Sequence, residues 1–233
     1  MLEIDIISVQ PQMLAGFVGE SILARAVKKG ACRIRVIDLK DYGIGRWKKT
    51  DDRPYGGGPG MLMRCEPWFA AVEPLLPARV VMTTPAGKTF TQRDAEMFAA
   101  LATADTPAVP RIVFLCGHYE GFDARIETLA TDRYSLGDFV MTGGELAAAA
   151  MTDAIVRLLP GVLGAGPAAT ASESFGRDNL LEFPQYTHPP EFRGMKVPEV
   201  LLGGDHAKIE RWRLQEARRL TAALRPDLAD ADR

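Results

Sequence analysis

The sequence predicts an α/β chain with a mostly parallel sheet, followed by a small helical C-terminal region. Three observations carry this. Short β-branched apolar runs alternate with amphipathic stretches up to about residue 160. Glycines gather directly after the apolar runs, in TPAG, CGHYEG and SLGDFVMTGGE. A Gly/Ala/Ser/Thr-rich stretch, GVLGAGPAATASESFGRDN, then separates this pattern from a proline-rich segment and a basic helix.

Taken in order, LEIDIISV (Leu2–Val9) is apolar and β-branched and reads as a buried strand that Gln10-Pro11 ends. ESILARAVKKG places Ile22, Leu23, Ala26 and Val27 on one helical face, with Gly30 as the stop. CRIRVIDL is a second strand. CEPWFAAVEPLL reads as a short helix with proline in its first turn. ARVVMTT is a strand and TPAGK the turn after it. TQRDAEMFAALA is a helix capped by Thr91. RIVFLCG is a strand with glycine at its C-terminal end, DARIETLA a helix, and GGELAAAAMTDAIVRLLPG a longer helix stopped by Pro160-Gly161. Residues 161–178 read as a mobile linker. In the tail, Asp205 caps a helix whose Ile209, Trp212, Leu220 and Leu224 share one face. The domains expected are therefore 1–160, the linker 161–178, and 179–233.

The bulk numbers exclude several classes. The chain has 233 residues, 47% hydrophobic and 25% charged, as in an ordinary globule. The start has no basic n-region or cleavage site, and the apolar runs are short, so neither a signal peptide nor a membrane span is expected and a cytoplasmic location is. Cys32, Cys65 and Cys116 are far apart and odd in number, which fits a reducing compartment. No histidine stands at ligand spacing from a cysteine, so no structural metal is expected. Net charge is −2, so any nucleic-acid role must rest on a local patch. The tail helix holds one: Lys208, Arg211, Arg213, Arg218, Arg219 and Arg225 outnumber its acids. A patch of this kind is most often a solvated helix face.

In open α/β sheets, ligands bind beyond the C-terminal strand ends, where glycine lets the backbone approach closely. No GxxxxGK[ST] loop is present, and GAGPAA follows no strand. A ligand held by main-chain groups rather than by a phosphate loop fits better, and a nucleoside joined to an amino acid qualifies.

DDRPYGGGPGM, LCGHYEGFDARI, YSLGDFVMTGGELAA, RLLPGVLG, PQYTHPPEFRGMKVPEVLLGGDHAKIERWR and TAALRPDL occur in this order. Together they resemble the bacterial tRNA (guanine-N1)-methyltransferases, of the SPOUT class of S-adenosylmethionine-dependent RNA methyltransferases, from Leu2 to about Leu228. The resemblance implies a parallel sheet with helices on both faces, a deep trefoil knot in its C-terminal part, and a helical tRNA-contacting domain. It implies a homodimer whose active sites use both chains, methylation of the guanosine immediately 3′ of the anticodon, and Mg²⁺ as an activator. It also implies the roles of particular residues. S-adenosylmethionine would lie against Thr84, Pro85 and Gly87, against Gly117, Tyr119 and Glu120, and against Ser135, Leu136, Gly137, Phe139, Met141, Gly143 and Gly144. Any one of these glycines alone would read as turn chemistry. Ala147 departs from the family, which often has proline near that helix start.

N1 of guanine carries a proton that must leave during methylation, so a base is required. The resemblance assigns it to Glu173 of SESF, where many relatives have aspartate; glutamate is one methylene longer and still reaches. Without that context Glu173 is a solvated linker residue. Arg157 matches the catalytic arginine and would donate to the guanine O6; alone it reads as a salt bridge at a helix end. Asp52, Arg53 and Tyr55 would meet the partner subunit or the RNA, and Arg193, Lys196, Arg211 and Arg213 the phosphates. The rival readings are a ribosomal-RNA methyltransferase of the same class and a non-catalytic RNA-binding protein of the same fold.

Overall fold

The computed structural model describes residues 1–104, 109–164, 170, 173–176 and 178–229. They belong to two compact units, Met1–Gly164 and Ala165–Arg233. Of the linker expected at 161–178, residues 165–169, 171, 172 and 177 lie outside the described residues.

The first unit runs β1 (Leu2–Ser8), α1 (Gln12–Val18), α2 (Ser21–Lys28), β2 (Cys32–Asp38), β3 (Asp51–Asp52), β4 (Leu62–Met63), α3 (Cys65–Val72), β5 (Arg79–Thr89), α4 (Gln92–Ala100), β6 (Arg111–Cys116), β7 (Asp132–Ser135) and α5 (Glu145–Val156). Five strands form one sheet in the order β2-β1-β6-β5-β7, and every pairing is parallel. Alternate strand residues feed two cores. Leu2, Ile4, Ile6, Val81, Ile112 and Phe114 pack with Leu14 of α1, Leu23 of α2, Phe98 of α4 and Ile155 of α5. Ile7, Val80, Met82, Val113 and Leu115 pack with Trp68 and Val72 of α3. Helices therefore cover both faces, which is why the strands read as continuous apolar runs. Each fully buried aliphatic side chain contributes roughly 1.5–3 kcal/mol. Two acids break the apolar run of β1, and both are paired: Asp5 accepts from Arg35 at 2.5 and 2.8 Å, and Glu3 accepts from Arg111.

One expectation needs correction, and two elements gain detail. QMLAGFV is a helix that no apolar period announces; it is one short turn pair with Gly16 inside, and the buried Leu14 holds it to the core. The helix expected in DARIETLA is present as a 3-10 helix over Ala124–Leu129. Asp123 caps it by accepting from the Arg125 N–H at 3.0 Å. TPAGK does not end its strand: β5 continues to Thr89, and the register against β7 shifts between Thr83 and Lys88. The turn residues bulge out of the strand instead of closing it.

The second unit contains the hairpin β8 (Glu191–Phe192) and β9 (Met195–Lys196), then α6 (Glu199–Leu202), α7 (His206–Leu224) and α8 (Pro226–Ala229). Asp205 caps α7 as the sequence predicts, accepting from the Lys208 N–H at 3.1 Å. Thr221, buried on α7, accepts from the Leu181 N–H at 2.8 Å and donates to Ala217 O at 2.7 Å.

Candidate active site

The bulge of β5, the loop after β6 and the loop after β7 enclose a cavity of about 320 Å³. Of the residues assigned from the sequence, Thr84 and Pro85 line it from β5, and Gly117, Tyr119 and Glu120 from the loop after β6. Ser135 lines it from the end of β7, and Leu136, Gly137, Phe139, Met141, Gly143 and Gly144 from the loop that leads into α5. Gly87 does not. It lies where β5 meets β7, and a Cβ there would stand 2.5 Å from the Tyr134 backbone nitrogen.

The walls are main chain because side chains are excluded. A Cβ on Gly144 would come within 1.9 Å of Thr83 Oγ1, and one on Gly143 within 2.2 Å of Glu145 Oε2. The Gly144 N–H donates to Gly117 O at 2.8 Å, tying two of the loops together. Ser135 Oγ braces the loop after β7 itself by accepting from the Gly137 N–H at 3.1 Å and donating to Gly137 O at 2.9 Å. Apolar surface from Leu136, Phe139 and Met141 faces these backbone groups. A flat heterocycle between apolar side chains, with its edge on main-chain N–H and C=O groups, suits this lining. The adenosine portion of S-adenosylmethionine fits that description.

The glycine-rich stretch of residues 51–61 packs against the same site. The Glu120 N–H donates to Met61 O at 3.0 Å, and a Cβ on Gly60 would lie 2.2 Å from Glu120 Oε1. Gly60, at φ +76°, is therefore held to glycine by its backbone conformation, whereas the exposed Glu120 side chain can swing away from it. Asp52 accepts from Arg64 at 2.7 Å and from the Arg53 N–H at 2.9 Å, whereas Tyr55 is fully exposed. Burial, and then the Asp51 carboxylate, raise the Tyr119 pKa.

A buried polar cluster borders the cavity. Glu145, in the first turn of α5, is fully buried, and its Oε1 accepts from Ser8 Oγ at 2.6 Å. His118 lines the cavity and brings Nδ1 to 4.0 Å from Glu145 Oε1. Nothing in the sequence marks Glu145 as buried, because an acid in a first helical turn is what the helix dipole favours at the surface.

Arg157 is the C-cap residue of α5, half-buried, with its N–H donating to Asp153 O at 3.1 Å. In the second unit, Glu173 lines a cleft of about 380 Å³ with Leu180, Phe183, Arg211 and Leu214. Its segment has defined local structure: the Gly176 N–H donates to Glu173 O at 3.0 Å, and Ser174 Oγ accepts from the Glu182 N–H at 3.0 Å. Arg213 stacks on Phe183 at 4.8 Å and pairs with Glu210 at 2.6 Å. Arg193 stands at the hairpin turn over Phe192, and Lys196 is 3.8 Å from Glu191. Arg211 is exposed. Among the described residues, no group of three or more His, Cys, Asp or Glu side chains is placed to hold a metal, and no helix is long and apolar enough to cross a membrane.

The family described as "tRNA (Guanine-1)-methyltransferase TrmD" matches residues 2–231. A tRNA (guanine-N(1)-)-methyltransferase of Anaeromyxobacter dehalogenans is 49% identical over 231 residues, covering 97% of this chain and 90% of that protein. The protein of the same description from Levilactobacillus brevis is 48% identical over 240 residues, 99% of this chain and 91% of its own. One from Thermus thermophilus is 49% identical over 224 residues, 96% and 90% respectively.

Proposed function

The chain belongs to the tRNA (guanine-1)-methyltransferase family, and from that premise we propose that it transfers a methyl group from S-adenosylmethionine to N1 of the tRNA guanosine immediately 3′ of the anticodon. The observation that carries the reading is the coincidence of a family match over residues 2–231 with a glycine-walled cavity at the C-terminal edge of a parallel sheet. When bound, S-adenosylmethionine supplies an electrophilic methyl on a sulfonium centre. The chain's own residues do the rest. The main-chain groups of the three loops hold and orient the donor. Glu173 accepts the N1 proton as N1 bonds to the methyl, and Arg157 donates to the guanine O6, where negative charge accumulates. Arg53 and Tyr55 meet the RNA or the partner subunit, and Arg193, Lys196 and Arg211 meet phosphates. The same reading includes the trefoil knot, a homodimer that completes each site, and Mg²⁺ as an activator.

The test is label transfer from S-adenosylmethionine to unmodified transcripts carrying guanosine or adenosine after the anticodon. Label on the guanosine transcript alone is expected. Glu173→Gln is expected to lower the rate by about 10²–10⁴-fold, the usual worth of a general base. Label that persists at the wild-type rate in Glu173→Gln removes Glu173 as the base. No label on either transcript, with the donor still bound, moves the assignment to a ribosomal-RNA substrate.

A further inference from the structure

Beside the cavity, the segment from Gly43 to Thr50 projects a short turn from the first unit. Ile44 and Lys49 face each other across it, with N–H to O distances of 2.9 and 3.0 Å in the two directions. The Lys48 N–H donates to Gly45 O at 3.1 Å and closes the loop. Lys48 is held at φ +48°, a conformation that side-chain-bearing residues rarely adopt. Gly43 backs the turn, since a Cβ there would lie 2.2 Å from Lys48 O. The turn is thus fixed rather than loose, and Arg46 and Trp47 sit at its tip.

Trp47 is 78% exposed, and the Arg46 guanidinium carbon lies 5.5 Å from its ring centre. A single exposed apolar residue needs no explanation. An exposed indole on a strained, fully bonded turn, flanked by cations, is a different case. Lys40, Arg46, Trp47, Lys48 and Lys49 line a cleft of about 440 Å³. Lys48 is committed to Asp41 at 2.7 Å. Among the described residues, no carboxylate pairs with Lys40, Arg46 or Lys49. The nearby acids are largely engaged: Asp38 accepts from the Lys40 N–H, and Asp52 from Arg64. Asp51 is the acid in the cleft wall, next to Tyr119. Tyr119 lines both this cleft and the cofactor cavity, so the two are neighbours across one ring.

A flat apolar face, unpaired cations around it and one acceptor in the wall together suit an unstacked nucleotide. We propose that this turn is an RNA contact. Trp47 stacks on an unpaired base of the tRNA loop close to the target guanosine, and Lys40, Arg46 and Lys49 hold the flanking phosphates. Asp51 accepts from a base N–H. The proposal rests on the tRNA reading above and adds to it a surface on the first unit, apart from the basic helix of the second.

The experiment measures tRNA affinity across a salt series for the full-length protein, alongside Trp47→Ala and the double variant Arg46→Gln/Lys49→Gln. Binding of S-adenosylhomocysteine by calorimetry is the control for folding and should match the wild type in both. Trp47→Ala is expected to weaken tRNA binding about tenfold, within the range for losing one base stack, and to leave the salt slope unchanged. The double variant is expected to flatten the slope of log K against log[salt] by about 0.7 per lost contact. Trp47→Phe is expected to recover most of the affinity lost in Trp47→Ala. Affinity and slope equal to the wild type in both variants, with the control intact, overturn the proposal. The readout is binding, so it is separable from catalysis. A wild type that binds tRNA through this turn but leaves it unlabelled counts against the methyl-transfer reading alone.

Discussion

At Gly144 a methyl group has nowhere to go, because Thr83 Oγ1 stands 1.9 Å from where the Cβ would be. Gly144→Ala is expected to cost about 1–3 kcal/mol of stability as an overpacked site. It should also weaken donor binding, by displacing the Gly144–Gly117 hydrogen bond; thermal melting and calorimetry read the two effects separately. At Glu173 the test is length against charge. With Glu173 as the proposed base, Glu173→Asp, which keeps the carboxylate but shortens its reach, is expected to keep transfer within about tenfold, whereas Glu173→Gln falls by about 10²–10⁴-fold. A third site couples two titrations. Tyr134 donates to Asp94 at 2.9 Å, and burial, then this bond, push its pKa up to about 12. The folded value exceeds the unfolded one, so the contribution is complete below the ordinary tyrosine pKa and is lost as pH rises through about 12. Burial raises Asp94, but hydrogen bonds from Lys88, Thr91 and Tyr134 bring it below the usual carboxylate value. Its contribution is therefore present above that usual value and disappears as pH falls through the folded one. Phenolate absorbance should show one tyrosine titrating near the top of the range, and Asp94→Asn should bring it down.

The elements differ in how openly the sequence declares them. β1, β6 and α4 are legible because burial on both faces, or a cap at one end, writes itself into residue type. Thr91 accepts from the Asp94 N–H while Asp94 accepts from the Thr91 N–H, a closed capping box. Thr91→Ala is expected to cost about 1 kcal/mol, seen as a lower melting temperature. α1 is not legible, since seven residues interrupted by Gly16 show no period, and its support comes from distant core residues. TPAGK misleads for a related reason: proline and glycine mark a departure from strand geometry, but only the pairing with β7 decides that the strand resumes. The cavity itself was readable as glycines after strands, yet Glu145, His118 and the Trp47 turn were not, because their meaning lies in what the fold places beside them. In α7 the sequence count of cations overstates the free charge. Arg213 pairs with Glu210, Arg219 with Glu216 and Lys208 with Asp205. Arg211→Gln should therefore flatten the salt dependence of tRNA binding, while Arg219→Gln should leave it nearly unchanged.

On the scale of the whole molecule, a net charge of −2 is compatible with an RNA substrate only if cations are locally concentrated, and each unit has a place where they are. The first unit owes its rigidity to a five-stranded parallel sheet with a core on each face, so the loops at one edge of that sheet are held to a fixed geometry. Much of the wall those loops present is peptide backbone. This bears on drug resistance. A point mutation changes a side chain; it cannot delete an N–H or a carbonyl. An inhibitor that takes its hydrogen bonds from the main chain around Gly117, Gly137 and Gly144 would leave the target few escape routes, because the substitutions that reshape that wall, such as a residue larger than glycine at Gly144, disturb the cavity before they evict the inhibitor.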